Sequence, residues 1–110
     1  MPVYDISIEL RGKVDAAGEY RRLRNAMNNN GFRHSIADDS DKTYWLPRDI
    51  FTYQGDMSRE ELMNAVYNLL TEFVPAPGVM VTESVGRCWR ALEKSRTFKR
   101  YSPEITRSIF

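Results

Sequence analysis

The chain has 110 residues, 42% of them hydrophobic and 28% charged, which suits one domain with a single modest core and not a disordered segment. A net charge of only +1 excludes a protein that coats polyanions with its whole surface. One cysteine, Cys88, excludes an intrachain disulfide and a cysteine-based zinc cluster. No secretory leader and no apolar run approaching the ~20 residues of a membrane span is visible, so a soluble, cytoplasmic protein without membrane insertion is expected.

Val3 to Leu10 alternates, with Tyr4, Ile6, Ile8 and Leu10 on one side, and predicts a first strand. Gly12 and Lys13 turn the chain, and Asp15 is placed to cap a helix running to about Asn30. Ala17, Tyr20, Leu23 and Met27 share the inward face of that helix, and Arg21, Arg22 and Arg24 lie on its other sides. Asn28-Asn29-Asn30-Gly31 stops it, because Asn and Gly tolerate the left-handed backbone of a helix end. Phe32 to Ala37 alternates again and predicts a second strand, closed by an acidic hairpin turn at Asp38, Asp39 and Asp41.

Pro47 cannot donate to a ladder, so the third regular strand is placed at Arg48 to Gln54, with Tyr44–Leu46 an irregular lead-in. Ser58-Arg59-Glu60-Glu61 has the spacing of a capping box and opens a second helix through Leu62, Val66, Leu69 and Leu70. Pro75 and Pro77 end it. Val79 to Thr82 predicts a last strand. Ser84 is placed to cap a final helix, Val85 to about Lys94, with Val85, Cys88, Trp89 and Leu92 inward.

The order strand, helix, strand, strand, helix, strand is that of an α+β, ferredoxin-like βαββαβ sandwich with an added C-terminal helix. Residues 1–94 are expected to form this single domain, and residues 95–110 a loosely ordered basic tail. Residues 81–110 carry seven basic side chains against three acidic ones, a local excess of +4 that leaves −3 for the remainder.

Several residues are candidates for chemistry. Arg21, Arg22 and Arg24 suit phosphate oxygens, although three arginines on a helix more often form a solvated face. Glu9, near the end of the first strand, suits a divalent metal if a twofold dimer brings two copies together; a single carboxylate reads first as a polar residue of the exposed sheet face. His34 titrates near neutrality and could move a proton, although a lone histidine on a strand is more often structural. Tyr44, Trp45, Phe51 and Tyr53 crowd one hairpin strand and suit stacking on unpaired bases. Phe51 and Tyr53 share a face and therefore a fate, and the alternative for them is the core. Arg96, Lys99 and Arg100 suit an RNA-contacting arm or a solubilising tail. No phosphate-cradling glycine loop, dinucleotide fingerprint or metalloprotease signature is present.

Arg22-Leu23-Arg24, Met27, Phe32 and Ile36-Ala37-Asp38, with Leu46-Pro47-Arg48 and Phe51 downstream, resemble the GhoS family of small endoribonuclease antitoxins. The similarity covers roughly Tyr4 to Lys94. That family is ferredoxin-like and related in fold to the small CRISPR-associated nuclease subunit. The resemblance implies sequence-selective cleavage of an mRNA, typically a toxin transcript. Arg24 and Arg22 would hold the phosphate, and Glu9 or His34 would handle protons. Arg21, Arg48, Tyr44, Trp45, Arg96, Lys99 and Arg100 would contact RNA. No cofactor is expected, and a homodimer through a sheet edge is an expected partner arrangement. The competing expectation is a non-catalytic RNA- or protein-binding module of phage or prophage origin.

Overall fold

A computed structural model describes residues 1–11 and 16–95, apart from the side chains of residues 16, 17 and 19. The expected turn at Gly12 and Lys13, the Asp15 cap, the inward Ala17 and the tail beyond Ser95 lie outside what is described. The elements run β1 (Val3–Glu9), α1 (Ala16–Asn29), β2 (Ser35–Ala37), β3 (Thr43–Trp45), β4 (Ile50–Gln54), α2 (Arg59–Leu70) and β5 (Gly78–Ser84). The protein is a small α+β fold: an antiparallel sheet in the order β4-β1-β5, two helices, and a two-stranded sheet β2-β3. No helix among the described residues is long and apolar enough to cross a membrane.

Alternation in β1 sends Tyr4, Ile6 and Ile8 into the core, all at 4% exposure or less. There they meet Leu23 and Met27 of α1, Phe51 of β4, and Leu62, Val66 and Leu70 of α2. Burying each such side chain contributes about 1.5–3 kcal/mol against the entropy of ordering the chain, so this cluster dominates the stability. Tyr53 packs partly buried against the same cluster. Phe51 and Tyr53 therefore share the core side and form no base-stacking platform.

The end of α1 satisfies its last carbonyls with backbone donors. Phe32 N–H donates to Met27 O at 2.9 Å and Gly31 N–H donates to Asn28 O at 3.2 Å, with Gly31 at φ +86°. This is the paired 6→1 and 5→2 bonding of a helix end closed by a left-handed residue, and Met27 and Phe32 pack beside it. At α2, Ser58 Oγ accepts from Glu61 N–H at 3.1 Å and Glu61 Oε1 accepts from Ser58 N–H at 2.8 Å. The capping box is formed as its spacing predicts.

Three sequence expectations are corrected. The strand expected at Arg48–Gln54 begins at Ile50, because Pro47, Arg48 and Asp49 form a turn closed by Ile50 N–H on Pro47 O at 2.9 Å. Thr43–Trp45 is not an irregular lead-in but a strand that pairs with β2. Pro47 separates the two, and among the described residues the backbone bonds that join the β2 segment to β4 are those of Arg33, made both ways with Thr52 at 2.7–2.8 Å.

The third correction concerns the added C-terminal helix, which does not form: residues 85–95 contain no helical turn. Val85 is fully exposed and Cys88 is exposed, so the apolar face drawn for that helix does not exist. The segment is held by other groups. Arg87 pairs with Asp5 and donates to Thr52 Oγ1 at 2.8 Å. Trp89 lies against Tyr44 with ring centroids 5.8 Å apart. Trp45 N–H donates to Glu93 O at 2.9 Å and Ser95 N–H donates to Thr43 O at 3.0 Å. The segment thus crosses the sheet and pairs along the outer edge of β3.

Candidate functional site

A cleft of about 390 Å³ is lined by Arg24, His34, Trp45, Leu46, Arg48 and Glu93. Its walls come from four parts of the chain. The helix α1 supplies Arg24, and the residues flanking β2 supply His34. The β3 strand and the turn after it supply Trp45, Leu46 and Arg48, and the C-terminal segment supplies Glu93. The Pro47 turn places Arg48 in the cleft wall, and the Trp45–Glu93 backbone bond brings the segment carrying Glu93 to the rim.

His34 is only 7% exposed. Its ring lies between Phe51, at 4.8 Å between centroids, and Trp45, at 6.1 Å. Nδ1 is 3.0 Å from the carbonyl oxygen of Ile50. A carbonyl only accepts, so Nδ1 carries the proton, and in the neutral ring Nε2 carries the lone pair. Burial pushes the imidazole below its ordinary 6.5; the Ile50 carbonyl opposes this, the nearby Arg24 charge adds to it, and Asp49 opposes it. The ring is therefore neutral at pH 7.

Arg48 lies over the Tyr20 ring, with Cζ 4.3 Å from the centroid, which holds the guanidinium against α1 without neutralising its charge. Trp45 is 41% exposed, a large aromatic surface at the cleft mouth. Two guanidinium groups, a neutral imidazole and an exposed indole thus converge. Such a set can hold a phosphate, accept a proton and stack on a base.

Other sequence candidates lie elsewhere. Glu9 pairs with Arg11 at 3.2 Å in a shallow hollow with Ser7 and Asp49, outside the cleft lining. Arg22 lies over Phe73, with Cζ 5.6 Å from the ring centroid. Arg21 is exposed on α1 and is not part of the lining. Tyr44 donates to Asp38 Oδ2 at 3.3 Å and turns toward Trp89. The Asp38 carboxylate also accepts from Ser40 N–H at 2.8 Å and Lys42 N–H at 3.0 Å, so the acidic run is a hydrogen-bonded hairpin turn. Arg96, Lys99 and Arg100 lie outside the described residues.

Among the lining residues, sequence reasoning missed Glu93 as a site residue and named Leu46 only beside Pro47 and Arg48. Glu93 was hidden by the expected C-terminal helix. No protein-family model and no curated protein sequence matches this chain.

Proposed function

We propose that the protein is an RNA-binding endoribonuclease of the antitoxin type, acting on an mRNA at the Arg24–His34–Trp45–Arg48 cleft. The observation that carries this reading is the convergence of those four side chains from separate elements. The ferredoxin-like plan gains support from the Arg33–Thr52 bridge. That bridge extends the β5-β1-β4 order toward β2.

Arg24 and Arg48 grip the non-bridging oxygens of the scissile phosphate and stabilise the charge that builds there as the phosphorus becomes five-coordinate. Trp45 stacks on a flanking base. Nε2 of His34 takes the proton of the ribose 2′-hydroxyl. The 2′ oxygen then forms a bond to phosphorus while the bond from phosphorus to the 5′ oxygen breaks. The leaving oxygen takes a proton from solvent, and the upstream fragment ends in a 2′,3′-cyclic phosphate. Arg22 and Glu9, being outside the cleft lining, have no step in this scheme.

The deep burial of His34 favours a second reading, in which the ring is structural and the cleft binds RNA without cutting it. Incubating the full chain with a mixed-sequence RNA pool, with and without a chelator, separates the two. Cleavage should yield cyclic-phosphate ends, stop at a 2′-deoxy linkage and fall at least about 100-fold in His34→Gln, the low end of what a proton-transfer group contributes. Retention of RNA by wild type but not by Arg24→Ala, with no cleavage, selects the binding module. Identical RNA ladders and identical binding for wild type and Arg24→Ala defeat both.

A further inference from the structure

Among the described residues, strand β5 has one partner and one bare edge. Ile8 N–H donates to Asp49 O at 2.9 Å, so Tyr4, Ile6 and Ile8 of β1 spend their backbone groups on β4. By alternation Val3, Asp5, Ser7 and Glu9 bond to β5, where they face Ser84, Thr82, Met80 and Gly78. The backbone N–H and C=O groups of Val79, Val81 and Glu83 therefore point away from the sheet. No strand among the described residues pairs with them.

Natural edge strands are guarded by charged side chains, above all lysine, by proline, a bulge or very short length. The seven residues Gly78–Ser84 carry one such charge, Glu83, and no lysine or proline. Val79 and Val81 are half-buried where Ile6 and Ile8 of the adjoining strand are sealed.

We infer that β5 pairs antiparallel with β5 of a second copy, about a twofold axis at Val81, to form one continuous sheet across a homodimer. In this register Val81 faces Val81 of the second copy, and Glu83 faces Val79. The only charge on the strand never meets itself, so this register sets no like charges directly opposite one another. Val81 gains an apolar neighbour directly opposite and Val79 a diagonal one, beyond the core contacts both already make. Met80, 62% exposed, lies beside Thr82 of the second copy.

The association stops at two copies because, among the described residues, the other edges are used. Glu93–Ser95 pairs along β3, and the short β2 faces β4, where Arg33 and the His34 ring occupy Thr52 and the Ile50 carbonyl. An isologous contact through a single free edge closes. The Arg24–His34 cleft is built on the β2-β3 end and takes no residue from β5, so the dimer stands or falls independently of the RNA reading.

Sedimentation equilibrium of the full chain should show a reversible monomer–dimer equilibrium. Val79→Lys places a cation opposite Glu83 of the second copy, and Val79→Glu places a like charge there. Their dimer dissociation constants should differ by about tenfold or more, with Val79→Lys the tighter, because two such cross-strand pairs form per dimer. Adding Glu83→Lys to Val79→Glu should restore dimerisation. Both single variants lose the same valine, so a simple loss of stability moves them together. Hydrogen exchange of the wild type gives a measure free of substitutions: the amides of Val79, Val81 and Glu83 should become protected as concentration rises. A wild type that stays monomeric at every concentration, equal shifts in the two single variants, or amides whose exchange ignores concentration would overturn the pairing.

Discussion

His34 binds a proton less readily than a histidine in water, and burial between Phe51 and Trp45 is the largest cause. The folded state therefore disfavours the imidazolium relative to the unfolded chain, whose value is the ordinary 6.5. Stability from this site is fully present above pH 6.5 and is lost as pH falls from there through the lowered folded value, since the unfolded chain takes up the proton first. Asp38 also titrates low: burial raises it, but hydrogen bonds from Lys42 N–H, Ser40 N–H and the Tyr44 hydroxyl outweigh that. Its loss of stability begins only near the carboxylate's ordinary 3.8 and continues below it. Urea unfolding followed from pH 8 to pH 5 should thus show a decline, and His34→Gln should remove it. An identical pH profile in the variant would mean that another group carries the dependence. A catalytic His34 would also place the acid limb of the cleavage profile below pH 6.5, because the base must be unprotonated.

At the scale of elements, α2 depends on its first turn. Ser58 and Glu61 satisfy two of the backbone donors that a helix start leaves open, and Glu60 and Glu61 place negative charge at the positive end of the helix. Ser58→Ala should cost about 1 kcal/mol and lower the melting temperature by about 4–8 °C in a domain of this size. Thermal unfolding checks this, and a shift below a degree would show that the cap is redundant. The cap was legible because its signal is four residues long and needs no other element. The same holds for the β1 alternation and for the Asn-Gly stop of α1. The 85–95 segment was not legible for the opposite reason. Val85, Cys88, Trp89 and Leu92 have helical spacing, but partners far away in sequence take the segment over: Asp5 and Thr52 for Arg87, Tyr44 for Trp89, and the β3 edge for residues 93–95. Tertiary pairing outweighs local period there. The cleft was half legible for the same reason. Arg24, His34, Trp45 and Arg48 could be named from residue type, whereas Glu93 required knowing that residues 93–95 pair along β3.

The whole molecule is nearly neutral, so any affinity for RNA must come from where its charges sit. Two locations compete. The cleft offers Arg24 and Arg48, and the residues after Ser95 add Arg96, Lys99 and Arg100. Salt dependence distinguishes them, since each phosphate neutralised on a single strand contributes about 0.7 to the slope of log affinity against log salt concentration. If the cleft alone holds the chain, the slope should be about −1.4 and should approach zero in Arg24→Ala/Arg48→Ala, by the same relation. If the basic residues beyond Ser95 share the load, the slope should be about −3 or steeper, and the double variant should shrink it by only about 1.4. Trp45→Ala should weaken binding at every salt concentration without changing the slope, because stacking releases no counterions. Fluorescence titration of a short single-stranded RNA over a series of salt concentrations measures all three. A slope that neither the double arginine variant nor removal of residues 96–110 reduces would place the RNA on neither surface. Two further basic groups, Arg33 and Arg87, line a separate cavity of about 360 Å³ between β2 and β4. Of these, Arg87 is already committed to Asp5 and Thr52, so Arg33 would be the first residue to replace.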